Sequence, residues 1–389
     1  MEAKLNSLLR AAFLLILISS LAFGQTKEEK LSFEEYIKEG VPAKKEIDVF
    51  LNDMSWAKFD PEVGYILGNY MPHDGMDGSS TISTVQSNGA RTSFMYTNKP
   101  CRINTYGNSF TQCHQVSDGE TWQEYLAAHL GEPVRNFGMG GFGVYQAYRR
   151  MLREEKTEHG AEYVILYVWG DDHIRSLLRC RYILTKDWNQ QTTRIEGPGR
   201  MFHGNFWSHI EMDLETGELL EKESILPTPQ SLYKMTDPNW MYETLRDDLA
   251  LRMYLYKNSQ IKDIDIQSLK TLSKHLKCPA DFSGKNLRLS VAKLLDKYSF
   301  EATKYILNKA REFTSANNKK LMVIIFDPSL TRQLLNKTET RYDREIVDFL
   351  KEYWGQQPFL KWRILGPLGL LKKHSCSVST VKQICVHSC

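Results

Sequence analysis

Over residues 101–168, strand-like hydrophobic runs alternate with segments whose apolar residues have helical spacing. Residues 101–106 and 134–137 are short runs of β-type residues, and residues 163–168 form a nearly continuous apolar run. Between these runs, apolar side chains recur at helical spacing over residues 122–130 and 144–152. Continuous apolar strands are typical of a sheet covered on both faces. The order therefore predicts an α/β fold with a parallel sheet and right-handed crossovers.

Residues 174–320 interrupt this order and are interpreted as an insertion. Residues 206–223 indicate a hairpin whose turn lies at residues 216–217. Helical stretches follow over residues 240–256 and 287–313. We expect the insertion to form a cap over the site, and a separate domain is the alternative.

Residues 25–100 are expected to be an N-terminal segment that packs on the core. Residues 31–38 and 45–54 have the spacing of short helices, whereas the Gly/Ser/Asn-rich residues 73–89 favour loops and short strands. This segment is too poor in apolar runs to suggest a core of its own.

The other end of the chain restores the sheet pattern and then breaks it. Residues 321–326 predict a buried strand that ends at Asp327, and residues 342–353 predict an amphipathic helix. A single domain with an insertion would thus span residues 101–354. No Asp or Glu occurs after Glu352, and three of the seven cysteines lie in the last fourteen positions. We interpret residues 355–389 as an atypical tail, either truncated or frame-shifted, or an unusual but genuine basic tail.

The first residues are typical of a secretory signal. Lys4 and Arg10 precede an apolar run over residues 11–23, and Ala22 and Gly24 are small residues at a cleavage site. An uncleaved anchor is the alternative, but the run is shorter than the ~20 residues that a spanning helix needs. We expect residues 1–24 to be removed and the protein to be exported, periplasmic or extracellular, without a stable membrane span.

Composition restricts the partners. The chain has 389 residues and a formal charge of +3, without a block of like charges, so nucleic acid is not an expected partner. The cysteine spacing matches no zinc pattern, and we expect neither a metal nor a cofactor. The first four cysteines are either buried thiols or include one disulfide; they are Cys101, Cys113, Cys180 and Cys278.

Three polar or glycine-rich segments follow the three predicted strands. The segment Gly-Asn-Ser-Phe-Thr at residues 107–111 follows the first strand, and a glycine-rich segment at residues 136–143 follows the second. Gly-Asp-Asp-His at residues 170–173 follows the third. Since a parallel sheet presents reactive groups at the carboxyl ends of its strands, these segments are predicted to meet at one edge.

A dinucleotide-binding loop is the alternative for the second segment. Gly138, Gly140 and Gly143 fit the spacing G-x-G-x-x-G. However, the segment does not follow the first strand of the unit, and no acidic residue ends the next strand as a ribose site requires.

The three segments together resemble the SGNH or GDSL hydrolase superfamily, over residues 101–175 and more weakly over residues 321–354. The resemblance implies a flavodoxin-like three-layer sandwich with Ser109 as the nucleophile. It also implies that the backbone N–H groups of Ser109 and Gly141 donate to the oxyanion. The family's third oxyanion donor is an Asn, and we place Asp171 at that position.

Two features depart from the family pattern. An ionised Asp171 accepts hydrogen bonds only, so it would have to stay protonated or turn away. The family takes its base from an Asp-x-x-His block near the C-terminus, which this chain lacks, so the catalytic base is unknown. By chain order His374 and His387 are the candidates. Histidines nearer the site in sequence are more often surface or packing residues; they are His114, His173, His203 and His209.

The sequence thus predicts an exported serine esterase that forms an acyl-enzyme on Ser109, acting on a small-molecule or glycan ester such as a carbohydrate O-acetyl ester. An acyltransferase is the near alternative, since a sugar hydroxyl can replace water. Without a base, Ser109 is a poor nucleophile, and a catalytically silent binding module is the second alternative.

Overall fold

The elements are taken from a computed structural model of the chain. The structure describes residues 30–53, 55–71, 75, 78–185, 204–327, 333, 336 and 341–354. The expected signal peptide and the atypical tail lie outside the described residues.

Strands and helices alternate through much of the described chain. The strands are β1 (Ala57–Asp60), β2 (Gly64–Leu67), β3 (Ile103–Tyr106), β4 (Val134–Asn136), β5 (Tyr163–Val168), β6 (His209–Met212), β7 (Leu219–Lys222) and β8 (Lys320–Ile325). The helices are α1 (Phe33–Glu39), α2 (Lys44–Asn52), α3 (Ser109–Gln112), α4 (Trp122–Leu130), α5 (Val144–Glu154), α6 (Asp172–Arg175), α7 (Pro238–Leu245), α8 (Leu249–Lys257), α9 (Ile266–His275), α10 (Leu287–Ala316) and α11 (Arg344–Trp354). Short 3₁₀ helices lie at Asp118–Glu120, Pro229–Thr236 and Gly284–Asn286.

A parallel four-stranded sheet organises the fold, in the order β4-β3-β5-β8. Ile103 of β3 lies opposite Val134 on one side and Tyr163 on the other. Tyr163 in turn lies opposite Lys320 of β8. The prediction of a mixed α/β fold with a parallel sheet is therefore confirmed.

Successive residues of the central strands face opposite sides of the sheet. Ile103 and Ile165 pack with Ala127 of α4 in a small cluster. Val164 and Leu166 point the other way, into the large cluster that α5 and α10 share. Period-two alternation thus gives each face of the sheet its own helical cover.

The described residues of the N-terminal segment pack in this large cluster. Phe33, Ile47 and Tyr65 are fully buried within it. The helices α1 and α2 match the predicted ones, but the antiparallel hairpin of β1 and β2 was not predicted. The segment therefore belongs to the same hydrophobic core as the sheet.

The insertion contains the predicted hairpin, because β6 and β7 pair antiparallel with Met212 opposite Leu219. The helical stretch predicted over residues 240–256 is two helices, α7 and α8, and α9 was not predicted. The last helix, α10, packs against α5 and β8. The insertion therefore ends in a helix that covers the sheet.

Described cysteines are thiols. Cys101, Cys113, Cys180 and Cys278 are unpaired, and the last three are buried. Burial raises the pKa of Cys113 to about 11 and that of Cys180 to about 12. Among the described helices, none is both long and apolar enough to cross a bilayer.

A buried carboxylate joins three strands at the amino end of the sheet. Glu155, directly after α5, accepts from Asn104 Nδ2 at 2.7 Å and from Tyr106 Oη at 2.8 Å, both of β3. Its other oxygen accepts from the Ala161 N–H at 2.8 Å, just before β5, and from Lys319 Nζ at 2.8 Å, just before β8. One side chain thus fixes where three strands begin.

We expect Glu155→Ala to lower the free energy of unfolding by about 3–5 kcal/mol, because it removes the carboxylate that pairs with a partly buried ammonium and takes the acceptor from the buried Tyr106 hydroxyl and the buried Ala161 N–H. Chemical denaturation measures this loss. Glu158→Ala is the matched control, since the Glu158 side chain is 82% exposed, and its unfolding should be close to that of the wild type. Equal stability of the two variants would contradict the role given to Glu155.

Candidate active site

The three segments singled out in the sequence lie in contact at the carboxyl edge of the sheet. The strands β3, β4 and β5 are parallel neighbours, so their ends fall on the same edge. The Met139 N–H donates to the Gly107 carbonyl at 3.0 Å, which joins the second segment to the first. Asn108 Nδ2 donates to Asp172 Oδ2 at 2.6 Å, which joins the third to the first.

Ser109 opens the one-turn helix α3. Asn108 caps this helix, because its Oδ1 accepts from the Phe110 N–H at 2.8 Å. Cys113 ends the turn in the left-handed conformation, with φ of 59°. Ser109 itself is partly exposed. Within the described chain, neither its N–H nor its hydroxyl donates to a protein acceptor. A free N–H is common in the first turn of a helix.

Close packing explains why a glycine precedes Asn108. A Cβ at Gly107 would collide with Thr111 Oγ1 and would lie 3.0 Å from Tyr167 Cβ. The tight passage from β3 into α3 therefore requires the absence of a side chain at this position.

The glycine-rich loop lies against α3. A Cβ at Gly138 would lie 2.6 Å from Thr111, and one at Gly140 would lie 3.0 Å from the Trp56 ring. The Gly140 N–H donates to Gln112 Oε1 at 2.5 Å. A Cβ at Gly143 would lie 2.6 Å from the Ser176 nitrogen, so protein atoms occupy the space in front of all three glycines that fit the dinucleotide spacing.

Gly141 has a conformation that a residue with a side chain rarely adopts. Its φ is 82°, in the left-handed region. A Cβ there would overlap the guanidinium of Arg181 and lie 2.7 Å from Tyr65 Oη. In the described part of the chain, the Gly141 N–H has no protein acceptor.

The two neighbouring aspartates differ in environment. The Asp171 side chain is 62% exposed and lies 3.7 Å from Arg175 Nη2. Asp172 is 1% exposed and accepts from Asn108, from the Trp169 N–H at 2.9 Å and from Arg175 Nη1 at 3.0 Å. Sequence reasoning did not assign a role to Asp172. The pair Asp-Asp marked the position, but only the start of α6 determines which of the two points inward.

Burial raises the pKa of Asp172 to about 7, although Arg175 and the hydrogen bonds from Asn108 and Trp169 lower it. The buried carboxyl therefore keeps its proton to a higher pH than an ordinary Asp does. Its charge bears directly on Asn108, the residue that caps α3.

Aromatic side chains border the edge beside Ser109. The Phe110 ring lies 4.7 Å from that of Trp169 and 6.1 Å from that of Tyr167, measured between ring centroids. Trp122 Nε1 donates to the Phe110 carbonyl at 3.1 Å. These contacts hold the first and third segments together from their apolar side.

The described histidines lie against other partners. His173 is buried, its Nδ1 lies 2.8 Å from Thr303 Oγ1, and its ring packs edge-on against Phe300. Burial lowers the pKa of His173 to about 4. His209 Nδ1 bonds to the Trp207 carbonyl at 3.2 Å. His203, His374 and His387 lie outside the described residues. No described histidine is hydrogen-bonded to Ser109, and the described residues hold no His/Cys/Asp/Glu cluster suited to a metal ion.

Comparison with protein-family models and with curated proteins finds no match to this chain. The resemblance to SGNH hydrolases therefore depends on the three segments and on their meeting at one edge.

The raised pKa of Asp172 predicts a pH dependence of stability. Because the folded state holds this proton more tightly than an ordinary Asp of pKa 3.8 does, the free energy of unfolding should fall between about pH 4 and pH 7. Asp172→Asn cannot take up this proton. The free energy of unfolding of the wild type relative to that of the variant should therefore fall as the pH rises through this range and stay constant above it. Denaturation at a series of pH values measures it.

Asp171→Asn is the matched control, since it removes the exposed neighbouring carboxylate, and its pH course should follow that of the wild type. Parallel curves for wild type and Asp172→Asn would contradict the prediction.

Proposed function

We propose that this chain is an exported serine hydrolase of SGNH type with a flavodoxin-like three-layer sandwich. The strand order supports the fold, because β3, the first strand of the sheet, lies between the second and third, as in the doubly wound order 2-1-3-4. Helices on both faces support it as well. The site lies where such folds bind ligands, at the carboxyl edge beside the first strand.

In the proposed reaction Ser109 Oγ attacks the carbonyl carbon of an acyl ester. The serine proton passes to a base, the alcohol leaves, and water then releases the acyl group from the serine. The N–H groups of Ser109 and Gly141 would donate to the oxyanion. The observation that carries the proposal is that two unengaged amides and a partly exposed serine lie on contacting loops. Each such donor is worth about 10²–10³ in rate.

Asp171 is the least supported member of this site. Its side chain is 62% exposed and lies 3.7 Å from Arg175 Nη2, and an ionised carboxylate can only accept hydrogen bonds. Losing the third donor leaves the two amides to stabilise the oxyanion. Carbohydrate O-acetyl esters are the substrate form we favour, and transfer of the acyl group to a sugar hydroxyl uses the same first step.

A silent binding module is the second candidate, and one observation favours it. No hydrogen bond between Ser109 and a histidine is seen among the described residues. His374 and His387 are the candidates for the base by chain order.

A fluorophosphonate probe distinguishes the two. The hydrolase reading predicts covalent labelling of the wild-type protein, because an activated Ser109 Oγ displaces fluoride from phosphorus, and loss of labelling in Ser109→Ala. Ser315→Ala is the matched control, since Ser315 is exposed on the last turn of α10, and it should label like the wild type. Undiminished labelling of Ser109→Ala, or none on folded wild-type protein, would reject the hydrolase; the latter favours the binding module.

A further inference from the structure

A cavity of about 250 Å³ is lined by residues that include Arg181, whose guanidinium lies against Gly141. We name it the arginine pocket. Its polar wall includes Arg175, Arg181 and Asp171, and its apolar wall includes Ile174, Leu178 and Leu184.

Arg181 is the unusual member of this pocket. It is 7% exposed, and its described polar contact is a 3.3 Å hydrogen bond from Nη1 to Tyr65 Oη. No carboxylate of the described residues pairs with it. By contrast, Arg179, two residues earlier, lies 2.8 Å from Glu211 and 2.6 Å from Asp247. Asp171 acts on Arg181 only from beyond ion-pair distance. A buried guanidinium without a direct carboxylate partner is costly, so an anion that enters the pocket gains a strong partner.

The other charged residues of the pocket do not pair with the Arg181 guanidinium. Arg175 is already engaged by Asp172 at 3.0 Å and by Asp171 at 3.7 Å. Asp171, at 62% exposure, lies toward solvent. The positive charge available to a ligand is therefore mainly that of Arg181.

Arg181 also touches the proposed oxyanion loop. Its guanidinium lies so close to Gly141 that a side chain there would overlap it. Tyr65, its hydrogen-bond partner, donates to the Gly140 carbonyl at 3.1 Å. A group held by Arg181 would thus lie next to the atoms proposed to receive the ester carbonyl.

We propose that the arginine pocket binds a carboxylate of the substrate, so that the ester is carried by an acidic sugar or a similar carboxylate-bearing molecule; this rests on the proposed function. The planar guanidinium fork matches a carboxylate in two parallel hydrogen bonds. The apolar wall packs against the non-polar face of the ligand. Arg181 is a substrate-binding residue in this scheme.

Binding to Ser109→Ala tests the proposal, with D-glucuronate as the acidic probe and D-glucose as its neutral counterpart. Calorimetry should show glucuronate binding at least about tenfold more tightly than glucose. Adding Arg181→Met to Ser109→Ala should weaken glucuronate binding about tenfold or more. Arg181→Lys should have the same effect, because it keeps the positive charge but loses the two parallel N–H donors of the guanidinium. Arg246→Gln removes an exposed arginine elsewhere and should leave binding unchanged.

Melting temperature separates binding from a structural role. Arg181→Met should melt no lower than the wild type, because its guanidinium lacks a carboxylate partner, and glucuronate should raise the melting temperature only of proteins that keep Arg181. A large drop in Arg181→Met, equal binding of the two sugars, unchanged binding in Arg181→Met, or tighter binding of inorganic phosphate would each overturn the proposal. If the fluorophosphonate probe labels Ser109 but glucuronate does not bind, only the proposal for the arginine pocket is rejected. If glucuronate binds but the probe does not label Ser109, only the proposed hydrolase function is rejected.

Discussion

The hydrogen bond between Asn108 and Asp172 is the interaction on which the candidate site depends. Asn108 uses its carbonyl oxygen to cap α3 and its amide nitrogen to reach the carboxylate of the third segment. Asp172 is in turn held by the Trp169 N–H and by Arg175. Because both side chains are buried, neither can exchange its partner for water at low cost. The position of Ser109 is thereby fixed relative to two strands.

Close backbone packing supplies the second constraint. Gly107, Gly138 and Gly141 each lie where a Cβ would overlap protein atoms. The atoms belong to Thr111 and Tyr167 at Gly107, to Thr111 and Gln112 at Gly138, and to Arg181 and Tyr65 at Gly141. The glycines therefore serve contact between loops. Close packing therefore accounts for the glycine-rich segment without a phosphate-binding role, although the spacing alone fits a dinucleotide loop equally well.

Local patterns predicted the sheet well, because its strands and helices have clear periods. The strand at residues 163–168 and the edge shared by three segments follow from such periods and from parallel pairing. The β1–β2 hairpin, the break between α7 and α8, and the point at which α6 begins and turns Asp172 inward were not marked by such periods. Arg181 lies 40 residues from Gly141 in sequence, so no local pattern joins them.

The charge of Arg181 bears on both steps of the proposed chemistry. In an empty pocket the guanidinium beside Gly141 would favour an oxyanion as well as a carboxylate, because a buried positive charge attracts either. Once a substrate carboxylate fills the pocket, that charge is neutralised, and the oxyanion depends on the amides of Ser109 and Gly141. Only interactions that strengthen in the transition state accelerate the reaction. Arg181 would then contribute chiefly to choosing and orienting the substrate, while the two loop amides would contribute to the rate.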